Sequence, residues 1–353
     1  MKEEYQRIIR DYMLGWFFAG LLWELLRYGS YGRDEFGLLY SIDGMGIFFL
    51  LWFCQSMIYG GFHILFEQNL AGRIRFHKMI LVFLTVQMIV GVFSMTSVYY
   101  VAQLFNIPGV PTSIHEFYSM RIVPVALVYA SIVNAFVGIS IVTNRMLGRG
   151  NLLKLLQGKF YKPQVDERII MFIDMKSSTK LAEQLGHEKY SLLIQECFHD
   201  LAVVYDHHSE VYQYIGDGVI LFWDTKLKNS SAESCRALFK FLDTIDARSG
   251  FYRREFGVVP QFKAGIHVGD VTIAEVGTLK RELAYHGDTI NTASRIQDQT
   301  GELGRHVLIS EAFYQRIETY QEFAVKPVGK IHLKGKENDV NLYEIDRLGS
   351  NGH

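Results

Sequence analysis

The sequence predicts two units in series, a four-span α-helical transmembrane domain over residues 1–143 and an α+β domain of the ferredoxin-like type over residues 167–348. Hydrophobic residues make up 49% of the chain and aromatic residues 14%, which is high for a purely soluble protein, and the excess lies in the first 145 residues. After residue 166, short β-rich runs alternate with amphipathic helical patterns. Such alternation is typical of a sheet covered by helices, which we expect on one side of it.

Four apolar runs make up the predicted membrane domain, at about residues 12–28, 44–66, 79–105 and 122–142. The second and third exceed the ~20 residues that cross a bilayer, the fourth meets that length, and the first does so only with flanking residues. The first run is wide, aromatic and interrupted by Glu24, which disfavours a cleaved signal peptide. We therefore expect a multi-pass protein of the lipid bilayer.

Positively charged residues in the loops predict the orientation of these spans. Three Lys or Arg residues lie between the second and third runs, and Arg145 and Arg149 follow the fourth. The loop over residues 106–120 contains no Lys or Arg. Because cytoplasmic loops carry the excess of positive charge, both termini and the second domain should face the cytoplasm, at the inner (plasma) membrane of the cell.

Polar residues inside the apolar runs are candidates for function. Glu24 and His63 are ionisable groups in apolar surroundings, where such groups are often functional. His63 and His77 both fall near the predicted cytoplasmic face, which raises a haem or metal site as a hypothesis, but ordinary interfacial or interhelical hydrogen bonding is the favoured interpretation. The sequence names no stimulus for the membrane domain.

Residues 144–166 join the two domains and are predicted to form a helical transmitter that ends before Pro163. The leucines of this segment could pair two copies of a helix, but the segment is too short to be assigned to a coiled coil. They are Leu152, Leu153, Leu155 and Leu156.

Charge argues against a nucleic-acid partner, and cysteine spacing argues against a disulfide-stabilised fold. Residues 1–150 carry 11 Lys and Arg against 9 Asp and Glu, a net charge of +2, and the remainder carries 25 against 28, a net charge of −3. With no basic patch, we exclude nucleic acid as a partner. Cys54, Cys197 and Cys235 show no paired spacing, so no disulfide framework is implied.

Periodicity predicts the elements of the second domain. The order is a strand, a long helix, a hairpin, a second helix, two strands and a third helix, followed by mixed short elements. The predicted strands are 168–173, 262–268 and 271–275, the hairpin is 210–223, and the helices are 178–206, 232–255 and 288–298.

Two carboxylates lie at the ends of β-rich runs in this domain. Asp174 follows the first strand, just before Ser177, Ser178 and Thr179, which are predicted to cap the helix whose free N–H groups favour a phosphate. Asp217 lies at the tip of the hairpin, between two glycines. Taken singly, each aspartate could be only a cap or a turn residue. Together they suit a divalent metal that also binds the phosphates of a nucleotide.

A third stretch, residues 286–297, adds a neutral hydrogen-bonding group and a fixed cation. Asp288 or Thr289 is predicted to cap a helix on which Asn291 and Arg295 are four residues apart and therefore share a face. That pair suits a ribose and a phosphate.

These motifs, FIDMKSST, YIGDG, GIHVGDV, GDTINTASRIQ and HLKGK in that order, resemble the catalytic domain of class III adenylyl and guanylyl cyclases, as in membrane-anchored bacterial adenylate cyclases. The resemblance runs from near Arg168 to near Ile345, about half of the chain. It implies two Mg²⁺ or Mn²⁺ ions per site, a homodimer with active sites between two catalytic domains, and cyclisation of a nucleoside triphosphate to a 3′,5′-cyclic nucleotide with release of pyrophosphate.

The resemblance also implies a role for individual residues. Asp174 and Asp217 match the metal-binding aspartates, with the carbonyl of Met175 as a further ligand. Asn291 and Arg295 match the pair that orients the ribose and stabilises the transition state. The nucleotide-binding residues implied are Ser177, Ser178, Thr179, Gln213, Lys280, Ala284 and Lys334, the last as a contact of the terminal phosphates.

The base-selecting positions depart from the family pattern. Gln213 and Ala284 stand where adenylyl cyclases usually have Lys with Asp or Thr, and guanylyl cyclases Glu with Cys. A Gln amide can donate to one purine edge or accept from another. We expect ATP as substrate because the guanine-reading carboxylate is absent, with GTP as the first alternative. A membrane receptor or scaffold with an inactive cyclase domain is the second, and the intact set of site residues argues against it.

Overall fold

The structure is a computed structural model that describes residues 2–30, 42–69, 76–106, 110–146, 157–159, 162–277, 282–317 and 320–348. It divides into two compact units at residue 146, a helical unit before it and a unit of mixed helices and strands after it. Residues 147–156 and 160–161 of the predicted transmitter, together with Lys280, lie outside the described residues.

The described residues of the helical unit form four long helices and one short helix. They are α1 (Lys2–Ser30), α2 (Ile42–Asn69), α3 (Phe76–Leu104), α4 (Ile114–Ser119) and α5 (Ile122–Met146). The four predicted apolar runs fall on the four long helices. α1 begins ten residues before the predicted start, and the other ends differ from the predicted ends by at most four residues. Among the described residues, two stretches are long and apolar enough to cross a membrane, Thr85–Leu104 and Val123–Asn144.

Polar and aromatic side chains connect the helices inside this unit. The Trp16 ring stacks on Tyr59, with centroids 6.1 Å apart, and its Nε1 donates to Asn134 Oδ1 at 3.0 Å. The Tyr12 hydroxyl and His63 Nδ1 lie 3.2 Å apart. This is the interhelical hydrogen bond favoured for His63 from the sequence; the side chains of Glu24 and His77 are outside the described residues.

The second unit is built on a sheet with the strand order β2-β3-β1-β4-β6-β8-β7, with β5 paired to β4. β1 is antiparallel to both β3 and β4, its neighbours on either side. The order strand, helix, hairpin, helix, strand over β1 to β4 is the ferredoxin-like arrangement, which confirms the predicted fold class of this unit. The strands are β1 (Gln164–Met175), β2 (Glu210–Ile215), β3 (Gly218–Asp224), β4 (Phe262–Val276), β5 (Glu282–His286), β6 (Val307–Ser310), β7 (Phe323–Ile331) and β8 (Val340–Arg347).

Helices cover both faces of this sheet, so the prediction of helices on one side is wrong. Ile169 and Met171 of β1 belong to a core with residues of the helices that follow β1 and β3, whereas Ile170 packs on the opposite face with Ala293. Alternate strand residues face opposite sides, so β1 is buried from both directions. The helices are α6 (Ser178–Asp200), α7 (Ser230–Ala247), α8 (Ser249–Phe256), α9 (Asp288–Glu302) and α10 (Glu311–Ile317), with a 3-10 helix at Leu201–His207.

Two strands predicted at 262–268 and 271–275 form one strand, β4. Gly269 lies between the two predicted strands, and its lack of a side chain permits a close approach, because a Cβ there would lie 2.9 Å from Thr289 Oγ1. That hydroxyl donates to the Asp270 carbonyl at 2.6 Å. Gly269 therefore lets the start of α9 lie directly on an unbroken strand.

Three other predicted boundaries change. The helix predicted at 178–206 has non-helical geometry at Gly186 and becomes a 3-10 helix at Leu201. The helix predicted at 232–255 is two helices that meet at Arg248. β1 begins at Gln164, within the stretch assigned to the transmitter.

Candidate active site

Asp174 lies one residue before the end of β1, opposite Lys263 of β4. Its Oδ2 is 3.1 Å from Lys263 Nζ and accepts a hydrogen bond from Gln297 Nε2 at 3.4 Å. Its Oδ1 is directed at Gly218, where a Cβ would lie only 3.2 Å from it. Because glycine occupies that position, the carboxylate has room above the turn that joins β2 and β3.

Asp217 lies in this turn, between the paired residues Ile215 and Gly218. Its Oδ2 is buried and accepts no hydrogen bond from the part of the chain that the structure describes. A buried carboxylate oxygen without a donor is costly, by about 1–3 kcal/mol, and calls for a partner such as an ion or water.

The electrostatics of the pair favour a cation. Burial, with the adjacent Asp217 charge, raises the pKa of Asp174 above its usual value, and Lys263 opposes this effect only in part. No group of three or more His, Cys, Asp or Glu side chains that could hold a metal occurs in the described ranges, so further ligands would come from the backbone, water or substrate. An oxygen-rich, incomplete site of this kind fits Mg²⁺ or Mn²⁺.

The start of α6 follows directly after this pair, as predicted, and Ser177 occupies the N-cap position, but the capping hydrogen bond predicted there is not formed. Ser177 is in the left-handed region at φ 56°, ψ 32°, and its side chain makes no capping hydrogen bond. Ser178 and Thr179 are already helical. The free N–H groups of this helix start remain suited to an anion.

The cap predicted for α9 is wrong. Gly287 precedes the helix and no side chain caps it. Asp288 instead pairs with Lys336, which lowers the pKa of its carboxyl group, and Thr289 bonds to β4 as described above. Both predicted caps are therefore engaged in tertiary contacts.

Asn291 and Arg295 lie on the side of α9 away from the aspartates. Asn291 is exposed, and the Arg295 guanidinium lies against Gly335, where a Cβ would be 3.3 Å from Nη2. Gln297, which contacts Asp174, is two residues further along the helix and thus rotated by about 200° from Arg295. Arg295 is therefore directed away from the side of α9 that contacts Asp174 of the same chain.

The remaining predicted nucleotide contacts are spread over several elements. Lys334 is exposed beside Gly335. Gln213 is exposed at an irregularity in the pairing of β2 with β3, and Ala284 is buried in β5. The neighbours of these two positions, Tyr212 and Tyr285, are in ring contact with centroids 4.8 Å apart, which joins β2 to β5.

Sequence reasoning missed three residues of this region, Lys263, Gln297 and Lys336. Lys263 was a single cation in an apolar strand, FKAGIHV, and that isolation was a usable signal. Gln297 and Lys336 contact residues 123 and 48 positions away in the chain, which no local pattern encodes.

Residues 160–346 match the sequence model of the family described as the adenylate and guanylate cyclase catalytic domain. This is more than half of the chain, and the chain belongs to that family. Adenylate cyclase 2 of Rhizobium meliloti (strain 1021) is 29% identical over 220 residues, which are 62% of this chain and 61% of that protein. Retinal guanylyl cyclase 2 of Rattus norvegicus is 26% identical over 149 residues, 42% of this chain and 13% of that protein.

The fold is also that of a bacterial light-regulated adenylyl cyclase of known structure. The TM-score is 0.52 at 17% identity, over 62% of this chain and 64% of that one. The chain thus spans less than two thirds of the length of each protein compared.

Proposed function

We propose that this protein is a membrane-bound adenylate cyclase that converts ATP to 3′,5′-cyclic AMP and pyrophosphate. The observation that carries the proposal is the Asp174–Asp217 pair, with a buried Asp217 oxygen that lacks a donor. Membership of the cyclase family and the similarity to adenylate cyclase 2 of Rhizobium meliloti support it.

The metal half of the proposed site consists of Asp174, Asp217 and the backbone carbonyl of Met175. These oxygens would hold two Mg²⁺ or Mn²⁺ ions. Bound there, the ions would offset charge on the α-phosphate and on the leaving pyrophosphate during in-line attack of the ribose 3′-hydroxyl.

The second half consists of Asn291, Arg295 and Lys334. In the proposed reaction Asn291 orients the ribose, the Arg295 guanidinium stabilises charge at the reacting phosphate, and Lys334 contacts the terminal phosphates. The start of α6, with Ser177, Ser178 and Thr179, lies beside the metal half and offers N–H groups to the same phosphates.

A homodimer brings these halves together. Within a chain, Arg295 lies about 200° around α9 from the residue that contacts Asp174, so the aspartates of one chain need the Asn/Arg pair of another. A two-fold axis then creates two equivalent sites.

ATP is the proposed substrate, and GTP is the second candidate. Ala284 presents only a methyl group, and the Gln213 amide can satisfy either purine. No carboxylate stands at either position to read the guanine edge. Because the chain is also similar to a guanylyl cyclase, GTP is tested as a substrate beside ATP.

The helical unit is proposed to anchor the enzyme as a four-span domain of the inner (plasma) membrane, with the catalytic domain in the cytoplasm and with a stimulus that is unknown. The two apolar stretches of α3 and α5 support a membrane location. The distribution of Lys and Arg in the loops supports the orientation.

The test is incubation of the purified full-length protein in detergent with ATP or GTP and Mg²⁺ or Mn²⁺, followed by identification of the product. We expect cyclic AMP and pyrophosphate from ATP. Cyclic GMP alone would make the protein a guanylyl cyclase, and no cyclic product under any condition would favour the receptor or scaffold.

A further inference from the structure

The two oxygens of the Asp174 carboxylate have different surroundings. Oδ2 contacts two N–H groups of its own chain, Lys263 Nζ at 3.1 Å and Gln297 Nε2 at 3.4 Å. Oδ1 is directed at Gly218, in the turn that carries Asp217. The carboxylate is thus held by one oxygen, and the other lies beside the turn that carries the second aspartate.

The backbone of Gln297 is fixed by close packing of α9 on β4. A Cβ at Gly265 of β4 would lie 2.7 Å from Gln297 Cα and would also overlap its backbone nitrogen, so the helix rests on the strand without an intervening side chain. Gln297 is 6% exposed, and its carbonyl accepts a hydrogen bond from Thr300 Oγ1 at 2.5 Å. Its side chain therefore reaches Asp174 from a fixed point.

An amide suits this place better than a carboxylate. A glutamate would add a third negative charge beside Asp174 and Asp217, whereas the neutral amide donates a hydrogen bond and leaves the charge of the metal site unchanged. Removal of a residue that hydrogen-bonds to a metal-ligating carboxylate commonly weakens metal binding by about 10–100-fold.

We propose that Gln297 is a positioning residue for the metal pair: it fixes Asp174 so that Oδ1 faces Asp217. Because α9 also carries Asn291 and Arg295, Gln297 ties the metal half of one active site to the phosphate half of the other. This inference rests on the proposed function and deepens it.

The first test measures binding of Mn²⁺ to the full-length protein in detergent, without nucleotide, from the electron paramagnetic resonance signal of free Mn²⁺. Gln297→Met keeps the shape and removes the donor, and Gln297→Asn places the donor out of reach. Both should raise the Kd for Mn²⁺ by about tenfold. Gln299→Met is the matched control on the same helix, because that amide bonds to Glu302 and not to the metal pair, and it should bind Mn²⁺ as the unmodified protein does.

The variant Asp174→Asn separates this inference from the proposed function. If Asp174→Asn abolishes Mn²⁺ binding while both Gln297 variants bind normally, the positioning role is refuted and the metal pair stands. If Asp174→Asn binds Mn²⁺ normally, the metal pair itself is refuted, and the positioning role with it. Circular dichroism and melting temperature show whether each variant is folded. Because Gln297→Met and Gln297→Asn both remove the hydrogen bond to Asp174, the test needs only one of them to fold.

The second test uses mixed dimers with one complete site. Chains with Arg295→Ala supply the intact aspartates of that site, and chains with Asp174→Asn supply its intact Asn/Arg pair. Gln297→Met on the aspartate-supplying chain should lower kcat at that site more strongly than on the other chain. If the larger loss occurs on the chain that supplies the Asn/Arg pair, Gln297 acts through the stability of α9, and the proposal is overturned.

Discussion

Replacement of Asp217 by Asn should separate activity from stability. The side chain keeps its shape but loses an anionic metal ligand, so cyclase activity should fall by at least about 100-fold. In metal-free protein, the same change removes the charge from a buried oxygen that has no donor in the described part of the chain. The free energy of unfolding should then rise by about 1 kcal/mol, because a buried unpaired atom costs less when it is neutral than when it is charged.

The pH dependence has a defined sign. The pKa of Asp174 is raised in the folded protein, with burial as the largest cause and the Asp217 charge as an additional one. A carboxyl group with a raised folded-state pKa stabilises the protein fully below its unfolded-state pKa, and this contribution is lost as the pH rises through the folded-state value. Asp217→Asn removes one cause of the shift, so the metal-free variant should lose less stability between acidic and neutral pH.

The assay combines product formation from ATP with denaturant unfolding of the purified protein, in EDTA and in Mn²⁺. Mn²⁺ should stabilise the unmodified protein and leave Asp217→Asn almost unchanged. Asp298→Asn, an exposed position on α9, serves as the control and should alter neither property. Retention of most activity by Asp217→Asn, or a loss of stability in EDTA, would refute the assignment of Asp217 to a metal.

Three further predictions address the dimer, the base and the linker. Inactive Asp174→Asn chains mixed with inactive Arg295→Ala chains should regain activity in mixed dimers, and an inactive mixture in which heterodimers are shown to form would contradict a shared site. The double variant Gln213→Glu, Ala284→Cys should shift the ratio of kcat/KM toward GTP by at least about tenfold, since a carboxylate accepts from the guanine edge; a ratio that stays constant would show that other residues select the base. Insertion of one to four alanines after Leu152 should give activity that varies with the turn of about 100° per residue, whereas a flat series would indicate a passive tether.

Local rules located the two aspartates because each lies where a strand meets a turn or a helix. The strand before Asp174 and the hairpin around Asp217 both follow from short β-rich runs, and both are present in the structure. Local rules failed where a side chain hydrogen-bonds to a residue that is distant in the sequence. Thr289 was predicted to cap α9, but its hydroxyl bonds to the Asp270 carbonyl, which lies 19 residues earlier.

The two-sided sheet has a similar explanation. The pattern of α9 showed that the helix is amphipathic but not which face of the sheet it covers. That choice depends on Gly265, whose missing side chain admits the backbone of α9. A glycine within a strand marks a close approach, and its partner becomes known only from the tertiary structure.

The packing of α9 on β4 constrains how the proposed cyclase can be regulated. The proposed metal half lies on β1 and the adjoining turn. The proposed phosphate half lies on α9, which contacts β4 at Gly265 without room for a methyl group. Sliding α9 against the sheet would therefore require a rearrangement of the core. The proposed metal half and phosphate half of one catalytic domain should therefore move as one rigid body. A signal can then change, at low energetic cost, only the relative orientation of the two catalytic domains in the dimer. In a two-fold dimer, one rotation alters both active sites alike, and we expect it to change kcat more than the affinity for nucleotide.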